Sequence, residues 1–208
     1  MKTEVVPASN PNAVRFATDV LRHGGLVAFP TDTVYGVGAP VFKGAAVERL
    51  YPLKGRSAVK AIAVLIARAA DLAQVAADIT PEAQLLAAAF WPGALTLVLL
   101  KRPEVPPAVS PTPSVGVRQP DHPVALALLR ATGPLAVTSA NRSGEPSTVT
   151  AAEVMAALGD RIDLVIDGGR CPGGVASTVV DCSAPGPPRL LRAGPISEEA
   201  IHAAMRKC

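Results

Sequence analysis

Short runs of apolar residues recur along the chain and predict the strands of a sheet. The runs at residues 61–66 and 95–100 are almost wholly apolar, and residues 26–29 and 135–138 form two shorter ones. Strands without polar alternation are typical of a sheet that is covered on both faces. Further short strands are predicted at residues 115–118, 164–166, 177–181 and 189–192.

Helix-start signals lie between these runs. Asn10 followed by Pro11 predicts the start of one helix, and Thr80 predicts the start of another over residues 81–90. Five prolines within residues 103–113 predict an irregular segment instead. Helices that alternate with buried strands predict an α/β fold. Further helices are predicted at residues 45–53, 69–77, 123–132 and 150–158, and from Ser197 onward.

Composition supports this class and limits the size of the protein. The 208 residues are 49 % apolar but only 3 % aromatic, so Ala, Val and Leu must build the core. A chain of this length can bury a substantial core and is near the upper size of one domain. We therefore expect one domain over residues 1–208.

Charge, cysteine content and hydropathy argue against several classes of protein. The formal net charge of +3 is too small to indicate nucleic-acid binding by itself. Cys171, Cys182 and Cys208 are odd in number and lack the spacing of a zinc site or a disulfide framework. No apolar run is long enough to span a membrane, and no signal-type segment begins the chain. We expect a soluble, cytoplasmic protein.

The loop after the first buried strand carries the first candidate chemistry. Thr31 and Thr33 lie in this loop, and a predicted helix then leads to Lys54, Arg56 and Lys60 with no acidic residue among them. Hydroxyl groups beside unpaired cations indicate a pocket for an anion that also forms directional hydrogen bonds. The same residues could equally form an ordinary surface loop and a solvated basic turn.

Polar side chains also lie at the ends of the later strands. They are Ser114 with Arg118, Ser139 with Asn141, Ser177 with Thr178, and Arg192. In an open sheet, the carboxyl edges of the strands can bring distant residues to one crevice. We therefore expect these residues to converge at that edge with the cations of the first loop.

Several standard catalytic motifs are absent from the sequence. There is no phosphate loop, no complete dinucleotide-binding fingerprint after Gly36, and no nucleophile elbow around Ser139. The three histidines, His23, His122 and His202, lack metal-ligand spacing. We assign no metal ligand and expect no covalent protein nucleophile.

Several sequence blocks occur in one order between residues 24 and 194. They are Phe-Pro-Thr-Asp-Thr-Val-Tyr-Gly at 29–36, Lys-Gly-Arg-Ser at 54–57, Trp-Pro-Gly-Ala-Leu-Thr-Leu-Val at 91–98, Val-Gly-Val-Arg-Gln-Pro-Asp-His-Pro at 115–123, Thr-Ser-Ala-Asn at 138–141, Ser-Thr-Val-Val-Asp at 177–181 and Leu-Arg-Ala-Gly at 191–194. Together they resemble the YrdC/TsaC family, the threonylcarbamoyl-AMP synthases. One block would be a weak signal, but the full ordered set is specific.

The resemblance implies a twisted, largely open α/β sheet of mixed strands, flanked by helices, with a large electropositive cavity. It implies nucleotidyl transfer, in which L-threonine, bicarbonate or CO2, and ATP give threonylcarbamoyl-AMP and pyrophosphate. The product would supply the transferase complex that makes N6-threonylcarbamoyladenosine beside the anticodon of tRNA. Mg2+ is expected with ATP, with no protein ligands assigned. We expect this chain to lack the additional C-terminal domain of longer family members.

Family roles are carried over by position. L-threonine would be contacted by Thr33, Arg118, Ser139 and Ser177. ATP would be contacted by Arg56, Lys60, Ser114, Asn141, Ser147 and Arg192. The catalytic residues would be Lys54 and Arg56, near the reacting carbamate and phosphates. One branch of the family has Asn-Pro and a histidine at the positions that here carry Lys60 and Leu65.

Two other functions stay open at this point. The same cations could hold tRNA or double-stranded RNA by phosphate contacts, without nucleotidyl transfer. The near absence of aromatic residues argues against stacking of single-stranded bases. A related domain also occurs in hydrogenase-maturation carbamoyltransferases, although the acylphosphatase and zinc-finger-like segments of those proteins are not found in this sequence.

Overall fold

The computed structural model describes residues 2–184 and 186–206, in which ten strands form one sheet. The strands are β1 (Glu4–Pro7), β2 (Val27–Phe29), β3 (Gly36–Pro40), β4 (Ala63–Leu65), β5 (Leu95–Leu100), β6 (Ser114–Arg118), β7 (Leu135–Ser139), β8 (Leu164–Asp167), β9 (Thr178–Asp181) and β10 (Arg189–Arg192). Their order across the sheet is β1-β8-β2-β3-β7-β4-β6-β5-β9-β10. Four neighbouring pairs are parallel and five are antiparallel, so the expectation of an open, mixed sheet is confirmed.

Helices flank this sheet. Within the described residues they are α1 (Ala13–Arg22), α2 (Gly44–Glu48), α3 (Leu50–Lys54), α4 (Pro81–Phe90), α5 (Pro123–Thr132), α6 (Ala151–Leu158) and α7 (Glu198–Met205). A 3-10 helix spans Ala69–Gln74. The predicted α/β class is therefore confirmed.

Polar side chains begin three of the helices where the sequence predicts them. Thr80, Thr150 and Ser197 each accept a hydrogen bond of 3.2 Å from the backbone N–H three residues further on. Each bond satisfies one amide group of the first turn that has no partner within the helix. The first helix begins at Ala13 instead of Pro11, because the Asn10 side chain accepts from an N–H in the turn before it.

Two predicted helices differ from the structure. The helix expected at residues 45–53 is divided into α2 and α3, which meet at Arg49. Pro52 explains the division, because it has no N–H to continue the hydrogen-bond ladder. The helix expected at residues 69–77 is shorter and has 3-10 geometry.

Two strands, β1 and β3, have no apolar run that predicts them. Their sequences, Glu-Val-Val-Pro and Gly-Val-Gly-Ala-Pro, contain residues that are depleted in strands. Both form because neighbouring strands offer partners: β1 pairs with β8, and β3 lies between β2 and β7. Gly36 and Gly38 are required by close packing, since a Cβ at these positions would lie 2.6 and 3.0 Å from the Val137 side chain.

The two faces of the sheet are covered differently along its width. On one face, α1 and α5 pack over β8, β2 and β7 in a core that contains Leu21, Phe29 and Leu128. The opposite face belongs to a larger core, in which Leu97 and Leu99 of β5 are fully buried. Over β4, β6, β5 and β9, the first face lines an open cavity instead. The expectation that residues 61–66 are covered on both faces is therefore wrong, because Ala63 and Leu65 line this cavity, and residues 95–100 are buried in the larger core on only one face.

The proline-rich segment at residues 103–113 forms neither helix nor strand, as predicted. It is nevertheless fixed, because Val105 and Val109 are buried in the larger core. The Val109 carbonyl accepts from the Ile62 N–H at 2.8 Å, and the Tyr51 hydroxyl donates to the Ala108 carbonyl at 2.8 Å. The segment is therefore part of the packed structure and contacts Tyr51 and Ile62.

Two cysteines, Cys171 and Cys182, are buried as free thiols, and Cys208 lies outside the described residues. Burial raises the pKa of Cys171, and it raises the pKa of Cys182 to about 12. Neither thiol has the depressed pKa that activates a cysteine nucleophile. In the described part of the chain, no helix combines the length and apolar character needed to cross a bilayer.

We expect the two faces of β5 to respond differently when a leucine is truncated. Leu99 is fully buried in the larger core, whereas Leu100 is on the opposite face and partly exposed. Leu99→Ala should lower the free energy of unfolding by about 3 kcal/mol, because it leaves a cavity in a packed core. Leu100→Ala should lower it by about 1 kcal/mol. Urea denaturation measures both, and equal losses would contradict the assignment of the faces.

Candidate functional site

A cavity of about 410 Å³ opens on the uncovered part of the sheet. Its floor is formed by alternate residues of five strands: Ala63 and Leu65 of β4, Thr96 and Val98 of β5, Ser114, Gly116 and Arg118 of β6, Val137 and Ser139 of β7, and Val179 of β9. Side chains alternate between the faces of a strand, so this spacing places all of them on one face.

The predicted polar residues converge, but not at the carboxyl edge of the sheet. β7 is antiparallel to β4, and β4 is parallel to β6, so β6 and β7 end at opposite edges. Ser139 and Arg118 are each the last residue of their strand, and both line the cavity. The cavity reaches both because it extends across the face of the sheet.

Two loops and the last strand complete the cavity wall. The loop after β2 contributes Thr31 and Thr33, the loop after α3 contributes Arg56, and β10 contributes Arg192. The Arg56 Nη2 donates to the Ala61 carbonyl at 2.8 Å. This bond holds the guanidinium of an otherwise exposed loop beside the cavity.

Arg118 donates hydrogen bonds to three different groups. Its Nε donates to the Gly93 carbonyl at 2.9 Å, its Nη1 to the Thr33 hydroxyl at 2.9 Å, and its Nη2 to the Asp32 carboxylate at 2.5 Å. The same Asp32 oxygen accepts from the Asp121 N–H at 3.1 Å. Burial lowers the pKa of Arg118, and the charge of Asp32 opposes this change. The guanidinium stays charged and is fixed in orientation.

Ser177 and Arg192 form a second polar group at the other side of the cavity. The Nε and Nη2 of Arg192 donate to the Ser177 carbonyl at 3.1 and 2.8 Å. The Ser177 hydroxyl lies 3.2 Å from Arg192 Nη2 and shares a hydrogen bond of 2.8 Å with the Thr96 hydroxyl. These bonds position one cation and two hydroxyl groups at the cavity surface.

Lys54 lies behind the cavity wall and only 3 % of the residue is exposed. Its ammonium donates to the carbonyl oxygens of Ser139 and Asn141, and the Asn141 Oδ1 lies 3.2 Å away. An ammonium has three N–H groups, so these oxygens can use all of them. Burial and, to a smaller extent, the positive charge of Arg56 lower the pKa of Lys54 to about 8.

Positive charge dominates the cavity. Arg56, Arg118 and Arg192 line it, and its described lining residues include no Asp or Glu. Burial lowers the pKa of Arg192, and the nearby charges of Arg118 and Arg56 lower it further. Three like charges are thus held within electrostatic range of one another. Such a site is stabilised when an anion binds.

The structure brings seven of the predicted site residues to the cavity wall: Thr33, Arg56, Ser114, Arg118, Ser139, Ser177 and Arg192. Those outside the wall are Lys54, Lys60, Asn141 and Ser147. Asn141 is buried beside Lys54, Lys60 is exposed, and Ser147 is partly buried. Every assignment of these residues to a ligand stays a prediction.

Two residues of the site, Thr96 and Asp32, received no role from the sequence. Thr96 is a polar residue within the otherwise apolar strand β5. It lies two residues from Val98, so the two share one face, and this polar position was the signal in the sequence that could have indicated a residue of the site. Asp32 lies within the Phe-Pro-Thr-Asp block, but no local pattern pairs it with Arg118, 86 residues further on.

The described residues contain no group of three or more His, Cys, Asp or Glu side chains that could hold a metal ion. Asp32, whose carboxylate contacts Arg118, already accepts two hydrogen bonds. Mg2+ usually needs only one or two carboxylates beside phosphate oxygens and water, and we assign no described residue to it.

Sequence comparisons identify relatives along most of the chain. The model of the Sua5/YciO/YrdC family, described as "Telomere recombination", matches residues 19–194. A Bacillus subtilis (strain 168) protein named threonylcarbamoyl-AMP synthase is 42 % identical over 199 residues, which are 94 % of this chain and 57 % of that protein. A human protein of the same name is 40 % identical, over 88 % of this chain and 67 % of that protein. The chain therefore spans little more than half the length of the Bacillus subtilis relative.

Structure comparison leads to the same group of proteins. The crystal structure of Pyrococcus abyssi Sua5 complexed with L-threonine has a TM-score of 0.93 and 40 % sequence identity, and the match covers 99 % of this chain and 61 % of that one. The crystal structure of Escherichia coli YciO has a TM-score of 0.81 and 26 % identity, over 93 % of this chain and 96 % of that one. By sequence and by fold, this chain belongs to the Sua5/YciO/YrdC family.

Proposed function

We propose that this chain is an L-threonylcarbamoyladenylate synthase and transfers the AMP group of ATP to a threonine carbamate. The observation that carries the proposal is the cavity in which Arg56, Arg118 and Arg192 face one space, with hydroxyl groups between them. ATP and a carbamate of an amino acid are both anions, so both need cations with directional donors. Further support comes from the names of the relatives and from the L-threonine bound to Pyrococcus abyssi Sua5.

The reaction balances without a protein nucleophile. The threonine amine adds to CO2 with release of a proton, or to bicarbonate with loss of water, to give a carbamate. A carbamate oxygen then attacks the α-phosphorus of ATP. The new P–O bond forms as the bond to the bridging oxygen breaks, and pyrophosphate leaves with the electron pair. The protein has to hold two anions in line against their repulsion, which a preorganised cationic cavity can do.

Different residues of the site are proposed to bind the two substrates. Arg118 and Thr33, with Ser139 and Ser177, are proposed to bind L-threonine. The phosphates and ribose of ATP are proposed to bind Arg56, Arg192, Ser114, Asn141, Ser147 and Lys60. Mg2+ would enter with ATP, bound by phosphate oxygens, and would neutralise part of the charge on pyrophosphate.

Lys54 is proposed to act from behind the wall. Its ammonium holds the carbonyl oxygens of Ser139 and Asn141, one residue of each proposed substrate group. Its positive charge also adds to the field of the cavity. Lys54 therefore links the two halves of the proposed site.

The size of the cavity favours small substrates over RNA. A volume of about 410 Å³ is within the usual range of small-molecule sites, and such a cavity cannot enclose a duplex. We propose that the adenylate product passes to a transferase that modifies tRNA. Binding of tRNA to this chain would use the surface outside the cavity.

Release of pyrophosphate from ATP tests the proposed function. Purified protein is incubated with ATP, Mg2+, bicarbonate and one amino acid at a time, and the product mass is measured. We expect release that depends on threonine and a product with the mass of threonylcarbamoyl-AMP. Serine is the informative competitor, because one methyl group is worth only about 1–3 kcal/mol. Folded protein that releases no pyrophosphate but binds RNA with a steep salt dependence would replace the proposal.

Arg56→Ala should raise the KM for ATP about tenfold or more, because a charged hydrogen-bond donor is lost. The KM for threonine should change less than about twofold, and the protein should stay folded. Arg161→Ala is the matched control: Arg161 also donates an Nη2 bond of 2.8 Å to a carbonyl, but it does not line the cavity. Equal changes in the two variants would mean that net charge, and not contact, is responsible.

The ammonium of Lys54 should titrate near pH 8 in the folded protein, instead of near 10.5. Arg56→Ala should raise this pKa, because the Arg56 charge is one of its causes. Below pH 8, Lys54 is charged in both the folded and the unfolded protein, and burying this charge lowers the free energy of unfolding by its full amount. Between pH 8 and 10.5 the folded protein loses this proton and the unfolded protein keeps it. The free energy of unfolding should therefore increase over that range. The chemical shifts of the Lys54 side-chain carbons, followed against pH, measure the midpoint of its titration. A midpoint above pH 10 would contradict the lowered pKa.

A further inference from the structure

Asp32 has no part in the proposed chemistry, yet it contacts the cation that faces the proposed amino-acid site. We propose that Asp32 is a positioning residue. It fixes the Arg118 guanidinium and, through it, the pattern of donors and acceptors that Arg118 and Thr33 present to an α-amino acid. This inference rests on the proposed function for the identity of that amino acid.

The bonds of Arg118 determine what it can still offer. A guanidinium has five N–H groups, and the bonds to Gly93, Thr33 and Asp32 use one each on Nε, Nη1 and Nη2. Among the described contacts, one N–H on each terminal nitrogen is left for a ligand. Two such donors on one planar group match the two oxygens of a carboxylate.

The hydroxyl of Thr33 is oriented by the same network. The Thr31 hydroxyl lies 2.6 Å from the Val34 carbonyl, and a carbonyl can only accept, so Thr31 donates there. The Thr31 oxygen also accepts from the backbone N–H groups of Thr33 and Val34, each at 3.2 Å, and the Thr33 hydroxyl lies 3.0 Å from it. Thr33 also accepts from Arg118. Its hydroxyl oxygen therefore has one lone pair left to accept from a ligand in the cavity.

The resulting pattern complements the head group of an α-amino acid. Two N–H donors of Arg118 face a carboxylate, and the acceptor on Thr33 faces an amine N–H. Both features depend on Arg118, since it supplies the two donors and occupies one lone pair of Thr33. A rotated guanidinium would change both at once.

Asp32 is itself held in place, as a positioning residue must be. Its carboxylate accepts from the Asp121 N–H, so it does not rely on Arg118 for its orientation. The loop is also supported from outside, where the Gly174 N–H donates to the Thr33 carbonyl at 2.8 Å. A Cβ at Gly173 would lie 2.7 Å from the Asp32 carbonyl oxygen, so this contact is close.

The test measures binding of threonine and of ATP separately, by calorimetry, in wild type and variants. Asp32→Asn keeps the shape of the side chain but removes its charge, so the bond to Arg118 weakens. We expect the dissociation constant for threonine to rise about tenfold, and that for ATP to change less than about twofold. Asp32→Glu keeps the charge but displaces the carboxylate by one methylene, so it should also weaken threonine binding. Wild-type threonine affinity in both variants would overturn the proposal.

Asp163→Asn provides a matched control. The side chains of Asp163 and Asp32 are equally exposed, at 15 %. Asp163 also accepts from an arginine, Arg49, at 3.4 Å and from a backbone N–H, that of Leu26, at 2.7 Å. Neither Asp163 nor Arg49 is among the described residues that line the cavity. We expect wild-type affinity for both ligands in this variant, and a loss like that of Asp32→Asn would contradict a specific role for Asp32.

Coupling to Thr33 separates positioning from general support of the structure. Thr33→Val removes the acceptor at the end of the network, and the double variant Asp32→Asn/Thr33→Val should bind threonine about as weakly as the weaker single variant. Independent, additive losses would overturn the proposal. The proposed function fails separately: in that case wild type binds no threonine and releases no pyrophosphate with it. If wild type does both and the Asp32 variants match it, only the positioning role is lost.

Discussion

Strand β7 joins the two parts of the sheet, because it pairs with β3 on one side and with β4 on the other. The side chains on one face of β7 also show where the core beneath α1 and α5 ends. On one face, Leu135 and Val137 pack with α1 and α5, and Ser139 on the same face lines the cavity. The rest of the site depends on this change from covered to uncovered sheet, because the adjoining strands β4, β6, β5 and β9 present their side chains to open space there.

A sheet face that no helix covers is ordinarily unfavourable for the fold. Here this face is lined by polar and cationic groups. The charges of Arg118, Arg192 and Lys54 are compensated mainly by backbone carbonyls and hydroxyl groups, and Asp32 is the carboxylate in contact with Arg118. Carbonyl dipoles orient a cation without cancelling its charge. The cavity therefore keeps a positive field, which favours anionic ligands and opposes folding when no anion is bound.

The proposed catalysis by positioning would make particular demands on such a site. If one substrate anion attacks another, as proposed, the donors must be fixed, and side chains such as Arg and Lys are flexible when alone. Each buried cation is anchored at several points: Arg118 through three groups, and Lys54 through Ser139 and Asn141. The orientation of these donors is therefore a property of the folded protein before substrate arrives.

The sequence by itself determined the α/β class, most strands, the three capped helices and the residue types of the site, because apolar runs, caps and polar blocks are local patterns. It could not supply β1 and β3, whose loop-like residues become strands only beside partners. Nor could it supply the place of convergence, which depends on strand directions and on where the covering helices end. The tertiary structure alone decided that Lys54 lies behind the wall and that Asp32 holds Arg118, because these contacts join residues more than 80 positions apart.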